Sequence, residues 1–302
     1  MKDLISVNQL DEKKVFEIYE IFKDYKNRYK NGETKLSDLR GYSVLLPFFE
    51  NSTRTRTSFE LAGKILGADT INISASTSSV KKGETLYDTI KTLEAIQSDF
   101  IVMRHSMSGA PALVAKEIKS HVINAGDGAN EHPSQALLDT FTILEEKGKI
   151  EGLNILIVGD FLHSRVARSD VKLFNKLGAK VSLCAPQTMI PRHLEVFEFD
   201  RVYTDLDKAI KDKDVVIFLR IQLERQIKPF FSTLNEYSIK YGLNQNRVNM
   251  LKDDAVIMHP GPVNRGVEIQ SELVYGNRSL ILDQVENGLF TRMAIYKFLL
   301  SQ

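Results

Sequence analysis

One pattern constrains the fold of this chain most. Short apolar runs alternate with longer amphipathic stretches along most of its 302 residues. Runs at 43–49, 70–74, 100–105, 121–124, 153–159, 180–185, 214–219 and 255–258 have the length and apolar character of buried strands. Stretches at 86–97, 132–146 and 165–177 have helical spacing. Asp11 opens another, with Val15, Ile18, Tyr19, Phe22 and Tyr25 on one face. Buried strands alternating with helices imply parallel sheets with helices on both faces, so the expected fold is α/β. Polar Glu145-Glu146-Lys147-Gly148-Lys149 precedes a fresh strand and marks a seam between two doubly wound parallel-sheet domains. The stretch from 283 to 300 is helical in spacing and has no strand after it, so it is expected to pack back on the first domain. The predicted division is 1–147 plus 284–302, and 148–283.

Composition narrows the function. With 40 Lys and Arg against 39 Asp and Glu, the net charge is +1, and no broad field points to nucleic acid or an anionic membrane. No run reaches the roughly 18 apolar residues of a membrane span. The N-terminal MKDLISVNQLDEKK has charges where a signal peptide needs an apolar core, so the expected compartment is the cytoplasm. The one cysteine, Cys184, lies in an apolar run and reads as strand filler.

The polar residues concentrate where the strands end. Segments 50–56, 104–105, 127–135, 160–165, 220–225 and 259–265 follow or close apolar runs, and nearly every one contains an arginine or histidine. Ligands of open α/β sheets bind outside the carboxyl ends of strands. A nearly neutral protein with cations at these places is expected to hold a small polyanion. The sharpest segment is Glu50-Asn51-Ser52-Thr53-Arg54-Thr55-Arg56, between an apolar strand and a helix read from Ser58 onward. A helix N-terminus offers unpaired N–H groups and a positive dipole end to phosphate. Hydroxyls and a guanidinium fork add donors. An ordinary Ser/Thr cap accounts for one hydroxyl, not for three hydroxyls with two arginines.

The run Ser52-Thr53-Arg54-Thr55-Arg56, followed by Ser58-Phe59-Glu60, resembles the carbamoyl-phosphate motif of the aspartate and ornithine carbamoyltransferases. Further matches follow in order along almost the whole chain: Ser78 with Lys81-Lys82-Gly83-Glu84, Met103-Arg104-His105, His132-Pro133-Ser134-Gln135, Arg220-Ile221-Gln222 with Glu224-Arg225, and His259-Pro260-Gly261-Pro262. Ornithine enzymes typically carry a His-Cys-Leu-Pro segment near the C-terminus. Here that segment is His-Pro-Gly-Pro, and 220–225 resembles the aspartate-binding loop. Two carboxylates call for two guanidinium forks, and Arg165 and Arg220 supply them.

The resemblance implies transfer of the carbamoyl group of carbamoyl phosphate to the amine of L-aspartate, in de novo pyrimidine biosynthesis, without metal or organic cofactor. It implies that Ser52, Thr53, Arg54 and Thr55 hold the phosphate, and that Arg104, His132 and Thr55 stabilise the oxyanion of a tetrahedral intermediate. Gln135 would orient the carbamoyl NH2, and Arg165, Arg220 and Gln222 would bind aspartate. Gly261-Pro262 would turn a backbone carbonyl toward the substrates through a cis bond, although relatives with leucine before this proline differ from Gly261. Ser78 and Lys82 would reach into a neighbouring subunit's site, which makes a homotrimer the expected assembly. Residues 74–83 have the composition of a lid. Glu50 and Arg225 match positions that hold the two domains closed, Glu50 bridging toward Arg165 and Arg225. No other protein base is evident for the aspartate amine, so the departing phosphate is the expected proton acceptor. His163 has no assigned role, and a regulatory chain or pathway enzyme remains a possible partner.

Other readings compete. Asn154–Asp160 (NILIVGD) looks like the first strand of a dinucleotide-binding fold, but Gly159-Asp160-Phe161-Leu162-His163-Ser164 is not G-x-G-x-x-G. A carbamoyltransferase for another amino acid is separated by a side-by-side assay of acceptors. A binding or scaffold subunit without activity is separated by turnover of the purified chain.

Overall fold

The computed structural model describes residues 1–74, 85–222 and 233–301. Two compact units emerge, residues 1–138 with 286–302, and residues 139–285. Ser74, the first residue of the expected lid, ends a strand, while Ser78, Lys82 and the rest of that lid lie outside the described residues, as do Glu224 and Arg225.

The first unit contains a parallel sheet of four strands, β1 (Ser43–Phe48), β2 (Asp69–Ser74), β3 (Phe100–His105) and β4 (His121–Asp127), in the order β2-β1-β3-β4. Its helices are α1 (Glu12–Lys30), α2 (Thr53–Ile65), α3 (Leu86–Ala95) and α4 (Ala110–Glu117). The chain leaves β1 toward β2 and then crosses back to β3. Right-handed crossovers in opposite directions put α2 on one face and α3 and α4 on the other. The packing agrees. Ile90 and Leu93 of α3 and Val114 of α4 share a buried cluster with Leu45, Ile101, Met103 and Val122. The other face is aromatic, where Phe59 of α2 and Phe100 of β3 lie edge-on to Tyr296 at 5.8 and 5.2 Å. Each such pair is worth about 0.5–1.5 kcal/mol beyond its burial. Tyr296 belongs to α10 (Ile281–Leu300), and Phe290 of that helix meets Phe22 of α1 edge-on at 6.5 Å. The C-terminal helix therefore packs on the first unit, as its lack of a following strand implied.

The helix α5 (Pro133–Lys147) leads into the second sheet: β5 (Asn154–Val158), β6 (Lys180–Cys184), β7 (Arg201–Tyr203), β8 (Val215–Phe218) and β9 (Val256–Met258). All pair parallel in the order β7-β6-β5-β8-β9, with α6 (Arg165–Lys176), α7 (Leu206–Ala209), α8 (Leu234–Tyr241) and α9 (Gln245–Val248) between strands. Strands β5, β6, β8 and β9 are almost wholly buried, which explains their unbroken apolar runs. Cys184 is fully buried, and burial pushes its thiol up to about 12, so it is inert filler. No helix among the described residues is long and apolar enough to cross a membrane.

Candidate active site

Each sheet reverses its strand order once, between β1 and β3 in the first and between β5 and β8 in the second. Such a switch point leaves a crevice at the carboxyl ends, because the adjoining connections leave in opposite directions.

At the first switch point, Phe48 pairs with Arg104, and the Phe49 N–H donates to the Arg104 carbonyl at 2.9 Å. The chain then turns into α2 at Thr53, five residues before the helix read from the sequence. Thr53, Arg54 and Thr55 are thus the first three helical residues. Ser52 is the N-cap in extended conformation, yet its hydroxyl makes no capping bond, and no acidic residue lies in the first turn. The caps of α1, α3, α6, α7, α8 and α9 all accept from a backbone N–H, whereas Ser52 of α2 and Gly109 of α4 give no side-chain cap, and a positive helix end without an acidic cap favours an anion. Thr55 is buried, whereas Thr53 and Arg54 are exposed.

Arg104 occupies a register shift between β3 and β4, a bulge that re-aims a side chain at a strand end. Its Nε lies 3.4 Å from Glu50 Oε2, and its Nη1 donates to the Ala125 carbonyl at 3.5 Å. This places Glu50 beside Arg104 within its own unit. Burial holds the neighbouring His105 below the ordinary histidine pKa, against the pull of Glu50 and Asp127, and its Nδ1 accepts the Met107 N–H at 2.9 Å.

His132 and Gln135 follow β4, both buried, with His132 just before Pro133 at the start of α5. Buried Asp127, to which sequence reasoning gave no role of its own, fixes the connecting loop. It accepts from Gly109 N–H at 2.6 Å, Asn124 Nδ2 at 2.8 Å, Asn130 Nδ2 at 3.0 Å and Glu131 N–H at 3.1 Å. Glu131 in turn accepts from Ser6 Oγ at 2.8 Å and Val7 N–H at 2.9 Å. In the same loop Gly128 has φ +48°, and a Cβ there would lie 2.9 Å from the Ser106 carbonyl and the Ser108 nitrogen. Gly128→Ala is expected to cost about 1–3 kcal/mol in strain and displacement. Because the loop leads to His132, kcat should fall by about tenfold or more. Thermal melting and steady-state rates check this; an unchanged rate would show that the loop does not set the histidine.

At the second switch point, β5 and β8 run side by side, with Val158 opposite Phe218, and the Leu219 N–H donates to the Val158 carbonyl at 2.8 Å. Asp160 is fully buried and accepts from the His163 backbone at 3.2 Å, with His163 Nδ1 at 2.9 Å. His163 therefore closes the turn that delivers α6, whose cap Ser164 accepts the Ala167 N–H at 3.2 Å. Arg165 is the first residue of α6 and is 3% exposed. Arg220 and Gln222, both half-buried, follow β8. Gly261 and Pro262 follow β9, and the bond between them is cis. The Gly261 N–H donates to His259 Nδ1 at 2.8 Å.

The structure thus gathers Ser52–Thr55, Arg104, His132 and Gln135 on the adjacent ends of β1, β3 and β4. It gathers Arg165, Arg220, Gln222, Gly261 and Pro262 on the adjacent ends of β5, β8 and β9. The fold places a group of cationic and polar side chains at the strand ends of each unit of an α/β protein. Two family models match the chain in tandem, the carbamoyl-phosphate-binding domain of aspartate/ornithine carbamoyltransferase over residues 2–145 and its Asp/Orn-binding domain over residues 151–299. The chain belongs to the aspartate/ornithine carbamoyltransferase family. It is 53% identical over 294 residues to the aspartate carbamoyltransferase catalytic subunit of Syntrophotalea carbinolica, covering 97% of this chain and 94% of that one. The corresponding subunit of Ruminiclostridium cellulolyticum is 51% identical with the same coverage. Among solved structures, aspartate transcarbamoylase of Trypanosoma cruzi in complex with carbamoyl phosphate and aspartate superposes with a TM-score of 0.88 at 30% identity, covering 98% and 96% of the two chains. Ornithine carbamoyltransferase of Pyrococcus furiosus gives 0.85 at 29%, with the same coverage.

Proposed function

We infer that this chain transfers the carbamoyl group of carbamoyl phosphate to the amine of L-aspartate, giving N-carbamoyl-L-aspartate and phosphate, a step of pyrimidine biosynthesis. The observation that carries the acceptor is the pair of arginines, Arg165 and Arg220, on adjacent strand ends of the second unit. Two guanidinium forks match two carboxylates, whereas the side-chain amine of ornithine calls for an anion.

In this reading Ser52, Thr53, Arg54 and Thr55 hold the phosphate on the open end of α2. The amine attacks the carbonyl carbon, and the carbonyl electron pair moves to oxygen, where Arg104, His132 and Thr55 stabilise it. Gln135 orients the carbamoyl NH2. The oxyanion then collapses, the C–O bond to phosphate breaks, and the amine proton leaves on the phosphate. Arg165, Arg220 and Gln222 hold aspartate, with the backbone at Gly261-Pro262 beside them. Ser78 and Lys82 complete the site of a neighbouring subunit in a homotrimer, which operates in the cytoplasm.

Glu50 has two roles open to it that differ in outcome. In the domain-closure role, with Arg225, Glu50→Ala raises the aspartate KM by about tenfold and lowers kcat while carbamoyl phosphate binding stays within about twofold. If Glu50 serves only to hold Arg104, binding of both substrates weakens together. The function itself is tested by supplying purified chain and carbamoyl phosphate with aspartate or ornithine side by side. Aspartate is expected to be preferred by about a thousandfold or more in kcat/KM; preference for ornithine would overturn the reading.

A further inference from the structure

Glu268 has no place in the substrate-binding sets above, and its side chain is fully buried in the second unit. One carboxylate oxygen, Oε1, accepts from the Ile221 N–H at 2.8 Å and from Asn264 Nδ2 at 2.7 Å. The other, Oε2, accepts from the Asn264 N–H at 2.7 Å, and Asn264 Nδ2 also lies 3.4 Å from the Ile221 carbonyl. A single buried carboxylate therefore joins the chain leaving β8 to the chain leaving β9. Ile221 stands between Arg220 and Gln222, and Asn264 stands two residues after Pro262. Satisfying three donors is what makes a buried carboxylate tolerable at all, and losing it strands those donors away from water. The backbone of Glu268 is fixed as well, since its carbonyl accepts the Leu243 N–H at 2.8 Å.

We propose that Glu268 is a positioning residue for the acceptor: its clamp on Ile221 and Asn264 sets where Arg220, Gln222 and the Gly261-Pro262 turn present themselves to the aspartate carboxylates, without touching the substrate. This rests on the reading of aspartate as acceptor. Hydrogen bonds to a charged group are the strong ones, so their loss should loosen both segments together.

The test compares the full chain with Glu268→Gln and Glu268→Ala, measuring kinetics for both substrates and amide exchange at Ile221 and Asn264. Glutamine is nearly isosteric and keeps one acceptor oxygen, but it turns an NH2 group toward a donor. It is expected to raise the aspartate KM by about tenfold and alanine by about a hundredfold, with the carbamoyl phosphate KM within about twofold in both. Exchange at both amides should quicken by about tenfold or more in the alanine variant. Unchanged exchange in both variants overturns the clamp. Quickened exchange with an aspartate KM within about threefold of the parent, or with equal losses for both substrates, overturns the positioning role. Failure of the parent chain to use aspartate would refute the acceptor reading, and with it the positioning role; the exchange data would still report on the clamp alone.

Discussion

Arg54→Ala is expected to lower kcat by about a thousandfold while leaving the fold intact. Arg54 is exposed in the first turn of α2, so its removal opens no core cavity and melting should shift little. The catalytic effect follows from where charge develops. As the C–O bond breaks, negative charge grows on the leaving phosphate, and a preorganised guanidinium stabilises that state more than the bound substrate. The loss should therefore appear in kcat more than in carbamoyl phosphate binding, because in the proposed site the helix amides and Ser52, Thr53 and Thr55 would still hold the phosphate. Arg54→Lys keeps the charge and loses the planar fork, so its rate should fall between the two. Steady-state kinetics with a parallel melting curve decides. A loss confined to the carbamoyl phosphate KM would reduce Arg54 to uniform binding.

Arg220→Ala is expected to act on the other substrate. The aspartate KM should rise by about a hundredfold or more, since a buried carboxylate left without its fork is poorly tolerated. Carbamoyl phosphate binding should hold within about twofold, because Arg220 belongs to the second unit and the α2 terminus to the first. Equilibrium binding of carbamoyl phosphate, set beside aspartate saturation curves, separates the two halves. Equal weakening for both would contradict the assignment of separate donor and acceptor sets.

Much of this was legible in the sequence because parallel strands buried on both faces leave unbroken apolar runs. The polar residues at their carboxyl ends then mark the candidate site without any knowledge of strand order. What escaped has physical causes. Strand β7 is three residues at a sheet edge, and Arg201 and Val202 are exposed, so it carries no apolar signal. The first turn of α2 is Thr-Arg-Thr-Arg-Thr, in which the β-branched residues disfavour helix, and the open N-terminus removes the usual cap signature. Asp127 and Glu268 were missed as organisers for a different reason. What a buried carboxylate bonds depends on chain brought from elsewhere, and the Ile221 amide held by Glu268 lies 47 residues away. The arginines were readable because their chemistry is carried by residue type; the groups that aim them are fixed only by the fold.

The most direct test of the central claim is titration of the chain with a phosphonate joined to aspartate, with the mass of the complex measured in solution. Saturation is expected at one mimic per chain, in a particle of three 34.2 kDa chains. Binding about a hundredfold or more tighter than for the phosphonate or a dicarboxylate alone is expected if one molecule engages both proposed anion sets. Binding no tighter than its separate fragments, or equal affinity for the ornithine-derived mimic, would contradict it.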